Sequence, residues 1–286
     1  MRRKAMFQTI LGIGMTMSAV GFGQSFLPPN NLHLQDSLFA SAGLTEDQFE
    51  AVLSKVEGAY QPIYGSHGVQ LQVNKLWTDT TVNASAQKSG KSWIINMYGG
   101  LARREEVTVD GFTLVACHEM GHHLGGWPQT LLGRMSVEGE SDYFATQACA
   151  KVLWKEELQE NAVYRDTVPA AGKTVCDAKY QGEDDQNLCY RIVVAGISLG
   201  NLLSHLGGGG DVAVDTPSTD QARRTQRTHP KAQCRLDTYV AGALCLKAFD
   251  DYKIPGNWEE ARSTSCARAD GDTVGARPAC WFKEPR

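Results

Sequence analysis

The order of apolar and polar positions divides the chain into an N-terminal apolar run, a stretch where helix and strand signals alternate, and a longer helical part. Apolar and glycine residues dominate positions 5–23 behind a basic start of Arg2, Arg3 and Lys4. Residues 45–56 open on Thr45, an N-cap candidate, and carry apolar residues at helical spacing. Val69, Leu71 and Val73 alternate with glutamines, the period of a strand with one buried face. Residues 92–98, bounded by Gly90 and the Gly99-Gly100 pair, read as a further strand. Helical periodicity prevails from Thr113 onward, interrupted by a surface loop that opens on four glycines at 207–210 and runs to Asp220. These signals predict an α+β fold, mostly helical with a small sheet and no internal repeat.

Residues 1–23 have the make-up of an export signal, with small-residue cutting sites at Ala19-Val20-Gly21 and Gly21-Phe22-Gly23. An uncleaved anchor is the other reading of that run, and no other apolar stretch is expected to approach a membrane span. Eight cysteines, an even number, agree with an oxidising compartment. Together the two signals predict a periplasmic or secreted protein of one domain, residues 24–286, without stable membrane insertion after signal removal. Hydrophobic residues at 42% and charged residues at 21% exclude a disordered chain, a collagen-like repeat and a coiled coil. The formal charge is −4, and removal of the signal takes three basic residues from it, so nucleic acid is not an expected partner.

Eight cysteines allow 105 connectivities. Cys234 and Cys245 flank a helical segment that would hold them roughly 16 Å apart at 1.5 Å per residue. A disulfide needs Cα atoms within about 7 Å, so each must pair elsewhere, among Cys266, Cys280 and the 176–189 region. Cys176 and Cys189 bracket a polar loop that they could close. No CxxC or finger-like spacing occurs, which favours structural disulfides over a thiolate metal site.

The strongest chemical signal is HExxH, written here His118-Glu119-Met120-Gly121-His122. At about 100° per residue, positions four apart on a helix differ by about 40°, so the two imidazoles project side by side and can share one Zn²⁺. Glu119 is then placed to take a proton from a metal-bound water, and His123 falls outside the ligand set. Chance produces this pattern in a chain of this length at roughly one per cent. A third ligand is required. The HExxHxxGxxH continuation fails because Pro128 stands where it needs histidine. A glutamate from a second helix is the other solution: Glu138 and Asp142, four apart, share a helical face, so Glu138 could ligate while Asp142 accepts a hydrogen bond from a ligand imidazole. Glu140 should face away. The bland reading of this acidic segment is a solvated turn. His33, His67 and His205 lack ligand spacing.

HExxH followed by Glu-x-x-x-Asp is the gluzincin arrangement, and its surroundings resemble the HtpX / CAAX-prenyl-protease metallopeptidases, in particular their soluble, exported, BepA-like members. Residues 83–86, Asn-Ala-Ser-Ala, are similar to that family's NAxA segment, Gly99-Gly100-Leu101 leads toward the HExxH helix as in that family, and Thr228-His229-Pro230 with Arg235 is similar to its HP…R segment. The resemblance covers roughly residues 45–250 and leaves the cysteine-rich segment 234–286 as a departure. It implies a zincin-like metallopeptidase domain with His118, His122 and Glu138 as Zn²⁺ ligands, Glu119 as general base and Asp142 as an orienting carboxylate. His229 would bind the oxyanion, and Arg235 would steady His229 or the Glu138 side. Asn83, Ala84, Trp93, Ile94, Ile95 and Asn96 would form the strand beside which a protein or peptide substrate pairs. The expected activity is hydrolysis of unfolded or flexible segments. The absence of further membrane helices argues against lipidated membrane substrates. Two other readings stand beside it: a zinc-stabilised, non-catalytic module that holds peptides, and a disulfide-stapled interaction protein without metal.

Overall fold

A computed structural model of the chain describes residues 23–35 and 43–285. The export signal expected at residues 1–23 lies outside them except for Gly23. The helix expected from residue 45 is α1 (Glu46–Ser66). The Thr45 hydroxyl accepts from the Gln48 N–H, and the Gln48 side chain accepts in turn from the Thr45 N–H, satisfying two donors at the helix start. Four strands follow the order β1-β3-β4-β2, with β1 (Gly23–Ser25), β2 (Gln70–Leu76), β3 (Ala84–Ser89) and β4 (Ser92–Tyr98). β2 runs parallel to β4, whereas the β1–β3 and β3–β4 pairs are antiparallel. The alternation at 69–73 and the apolar run at 92–98 correspond to β2 and β4. β3 carries a weaker signal because its inward positions are only alanines, Ala84 and Ala86, which are nonetheless fully buried.

The helices are α2 (Gly99–Ala102), α3 (Val109–Leu124), α4 (Glu138–Phe144), α5 (Ala150–Trp154), α6 (Leu158–Ala162), α7 (Ala170–Lys179), α8 (Glu183–Gly207), α9 (Ala232–Leu244) and α10 (Trp258–Thr264). A π turn at Ala145–Cys149 joins α4 to α5. The protein is thus α+β with a small mixed sheet. The Thr108 hydroxyl caps α3 by accepting from the Gly111 N–H. α3 packs against β3, α1, α4 and α8, so every residue from Asp110 to Leu124 is buried. That enclosure explains why its sequence lacks a polar face.

Among the described residues one helix, α8, is long and apolar enough to cross a membrane. This corrects the expectation that only the N-terminal run comes near that length. Its most apolar stretch is 67% buried within the protein, and its Arg191 forms a two-pronged ion pair with Asp110 of α3 at 2.8 Å.

Four disulfides close the fold, in keeping with an oxidising environment. Cys176–Cys189 joins α7 to α8. Cys234–Cys280 and Cys245–Cys266 fasten both ends of α9 to the C-terminal segment, so Cys234 and Cys245 pair apart from each other as helix length requires. Cys117–Cys149, which spacing did not single out, ties α3 to the π turn across 32 residues. A loop of that length is worth roughly 3–4 kcal/mol in the chain-entropy account, and it encloses both acidic and imidazole segments of the centre described below.

Burial has a measurable consequence at Asp251. Its carboxylate accepts from the Tyr60 hydroxyl at 3.2 Å, and burial pushes its pKa up to about 6. A raised folded pKa means the fold prefers the protonated form, so this stability is present below the ordinary carboxylate range and is lost as pH rises through about 6. Asp251→Asn keeps the acceptor and removes the charge. It is expected to stabilise the protein by about 1–3 kcal/mol at pH 8 and to leave it nearly unchanged at pH 4. Thermal melts of both proteins at the two pH values check this, and coincident melting at pH 8 would contradict it.

Candidate metal centre

α3 presents His118, Glu119 and His122 over one turn, and α4 starts on Glu138. The two helices come close because residue 121 is glycine: a Cβ there would stand 2.8 Å from the Ser141 Cα. The approach sets Glu138 against both imidazoles, with Oε2 3.3 Å from His118 Nε2 and Oε1 3.6 Å from His122 Nε2. All three side chains are buried. The solvated acidic turn is therefore not what residues 138–142 form.

Both rings are held from behind. His118 Nδ1–H donates to Asp142 Oδ1 at 2.7 Å, and His122 Nδ1–H donates to the Ser136 carbonyl at 2.9 Å, with the Ser141 hydroxyl at the same distance. With Nδ1 donating in both rings, each Nε2 faces Glu138 and would offer its lone pair there in the neutral imidazole. These two Nε2 atoms, both Glu138 oxygens and both Glu119 oxygens are buried without a hydrogen-bond partner. Buried polar atoms are normally satisfied, so six orphans around one point mark a place for a ligand. The His118, His122 and Glu138 ligand atoms lie within 4.8 Å of one another and could hold a metal ion. Donors bound at about 2.0–2.1 Å in a tetrahedron stand roughly 3.3–3.4 Å apart, close to the two imidazole–carboxylate separations here.

A cation at this point would displace a proton from His118. Burial alone would drive His118 toward neutrality, yet the Asp142 and Glu138 carboxylates hold its pKa up at about 9. Burial pushes His122 down to about 4, a neutral imidazole suited to ligation. Burial opposes charge on Glu138 as well, but the two imidazoles keep its carboxyl below the usual range. Burial, aided by the nearby Glu138 charge, lifts Glu119 to about 8.

Asp142 is itself clamped. Arg235 Nε and Nη2 donate to its two oxygens at 2.7 Å each, and the Tyr239 hydroxyl donates to Oδ1 at 2.7 Å. α9 reaches α4 because a Cβ at residue 242 would stand 2.7 Å from the Tyr143 carbonyl, so glycine is needed there. Arg235 therefore steadies His118 through Asp142, on the helix that carries Glu138, and makes no hydrogen bond to His229 among the described residues. Tyr239 went unnoticed in the sequence, although its position four residues after Arg235 puts both on one helical face.

His229, in the loop before α9, lies 3.4 Å from Glu138 Oε2, and its Nε2–H donates to the Ser25 carbonyl at 2.7 Å. A cleft of about 510 Å³ opens beside His229 and Arg235, bordered by residues 27–32 and the end of α8. Glu140 turns away into a buried two-pronged pair with Arg277. His123 is held by Tyr64 and the Gln87 carbonyl. His33, His67 and His205 bond to Thr80, the Asp251 carbonyl and Glu106, away from the centre.

The strand assignment needs correction. Trp93, Ile94, Ile95 and Asn96 lie in β4, which is paired on one side by β3 and on the other by β2. Its backbone groups are engaged, so it cannot accept an added strand. β3, which begins at Ala84 just after Asn83, is the strand that packs on α3, and its outer side faces residues 23–27. Those residues were absent from the expected site because they adjoin the export signal.

Comparison of the chain with known protein families, curated proteins and solved structures finds no match.

Proposed function

We propose that the protein is an exported zinc metalloendopeptidase with a zincin-like domain of gluzincin type, akin to the HtpX / CAAX-prenyl-protease metallopeptidases, acting on unfolded or flexible protein segments in the periplasm or outside the cell. One observation carries this reading: the partnerless His118 and His122 Nε2 atoms and Glu138 oxygens converge beside a partnerless Glu119 carboxylate. Two imidazoles and a carboxylate are a borderline donor set that suits Zn²⁺, and three protein ligands with a remaining open position are the catalytic rather than the structural pattern. When bound, such an ion acts as a Lewis acid that polarises a carbonyl and acidifies a water.

The chain's own groups supply the rest. Glu119 removes a proton from the attacking water at its carboxylate and passes it to the leaving nitrogen. His229 donates to the carbonyl oxygen as negative charge gathers on it. Asp142, gripped by Arg235 and Tyr239, fixes the His118 ring and its tautomer. A peptide laid along β3, in the place that residues 23–27 take here, would be held through backbone hydrogen bonds, which leaves side-chain selectivity broad.

Casein digestion tests the proposal. Protein purified without chelator is expected to degrade casein, to lose at least nine-tenths of that activity with a chelator, and to regain it on adding Zn²⁺. Stoichiometric zinc without digestion would reject the peptidase and favour a peptide-holding module.

A further inference from the structure

Asn83, Ala84, His229 and Arg235 are all engaged by one stretch of the protein's own chain. β1 adds to the outer side of β3 as an antiparallel strand, with Ser25 opposite Ser85. The Ser25 carbonyl takes the His229 Nε2–H at 2.7 Å. The next residue continues the pairing: the Phe26 N–H donates to the Ala84 carbonyl at 3.1 Å, and its carbonyl takes Arg235 Nη1 at 2.6 Å. Asn83 grips Leu27 from both sides, accepting its N–H at 2.9 Å and donating to its carbonyl at 3.3 Å. The Phe26 ring is fully buried, edge to face with His118 at 5.2 Å and beneath the Arg235 guanidinium.

The Ser25–Phe26 peptide bond lies between these contacts, beside the candidate centre. Its carbonyl oxygen is on the donor His229, which is itself 3.4 Å from the ligand oxygen of Glu138. Its nitrogen belongs to Phe26, whose N–H is held by the Ala84 carbonyl and whose ring stands 5.2 Å from that of His118, the neighbour of Glu119 on α3. The flanking backbone is immobilised on both sides, which removes much of the entropic cost of reaching a reactive geometry. The chain beyond the bond leaves along the 510 Å³ cleft that residues 27–30 border.

We infer that residues 23–27 occupy the substrate strand of this centre and that the protein cuts its own Ser25–Phe26 bond. The inference rests on the peptidase reading and deepens it, because it identifies the favoured substrate as an extended segment with a large aromatic residue immediately after the cut. In the reaction water adds to the Ser25 carbonyl carbon, a C–O bond forms, and the C–N bond to Phe26 breaks. Glu119 takes the proton from water and delivers it to the Phe26 nitrogen. The products are a carboxylate on Ser25 and an amino group on Phe26. Nothing is oxidised or reduced, and the required reactants are water and the divalent ion of the proposed function. Release of the segment up to Ser25 frees the outer side of β3 for other substrates.

The test begins with full-length chain prepared in chelator, wild type and Glu119→Gln. On adding Zn²⁺, N-terminal sequencing and intact mass should report a new terminus at Phe26 in the wild type, with a first-order rate that does not change with protein concentration. The variant should cut at least 100-fold more slowly. A second readout needs no metal: in chelator-treated Glu119→Gln, hydrogen exchange at Phe26 should be slowed at least 100-fold relative to an unstructured peptide. Free exchange there overturns the placement of the segment. Equal cutting in wild type and variant overturns self-cleavage. A wild type that digests casein while keeping Ser25–Phe26 intact overturns this inference alone, whereas zinc-loaded protein that cuts neither overturns the peptidase reading with it.

Discussion

Glu119→Gln is expected to lower casein hydrolysis about 10³-fold while leaving zinc content and fold intact. The substitution preserves shape but removes the lone pair that accepts the proton, and general-base assistance of this kind typically contributes 10²–10⁴-fold. Both Glu119 oxygens are buried without partners, and burial pushes the group's pKa up to about 8. The neutral amide therefore removes no hydrogen bond among the described residues, and the variant should melt no lower than the parent. Side-by-side measurement of zinc content, melting temperature and hydrolysis separates chemistry from folding. Activity within tenfold of wild type would remove Glu119 from the mechanism.

The two glutamates of α4 should fail in opposite ways. Glu138→Gln is expected to weaken zinc binding by at least 10²-fold, since it converts a charged ligand to a neutral one, and to cost the metal-free fold only the attraction between its charge and the two imidazoles. Its oxygens have no hydrogen-bond partner to lose. Glu140→Gln should keep zinc affinity within a few-fold but destabilise the protein by about 3–5 kcal/mol, because the Arg277 guanidinium is left buried without its counter-charge. Zinc titration and denaturant unfolding on both variants check the contrast. Zinc lost by the Glu140 variant and kept by the Glu138 variant would refute the ligand set proposed here.

The degree to which the site was legible follows the range of the interactions that make it. The placement of His118, Glu119 and His122 together on a helix is a matter of neighbouring residues, and so is the separation of Glu138 from Glu140 on α4. The strands β2 and β4 showed because their side chains are large enough to register as apolar. β3 did not, since two buried alanines among polar residues resemble a loop until the sheet is assembled. Arg235 drew attention through a family resemblance, but its partner is Asp142, a contact between α9 and α4 that depends on the close approach allowed by Gly242. Trp93 and its neighbours form a strand as expected, yet order in the sheet is a property of all four strands at once, and it encloses β4.

What the sequence by itself determined is therefore local: the helix bearing two imidazoles and an acid on adjacent faces, the cap at Thr45, and the separation of Cys234 from Cys245, all set by rise and turn along a few residues. Tertiary structure alone decided which distant groups meet. It drew Glu138 onto the imidazoles across Gly121, locked Asp142 under Arg235 and Tyr239, chose Cys149 for Cys117, and laid residues 23–27 across the centre. Those contacts join positions far apart along the chain, and only the packing of helices and strands into one close-fitting interior selects among the many pairings that local periodicity leaves open.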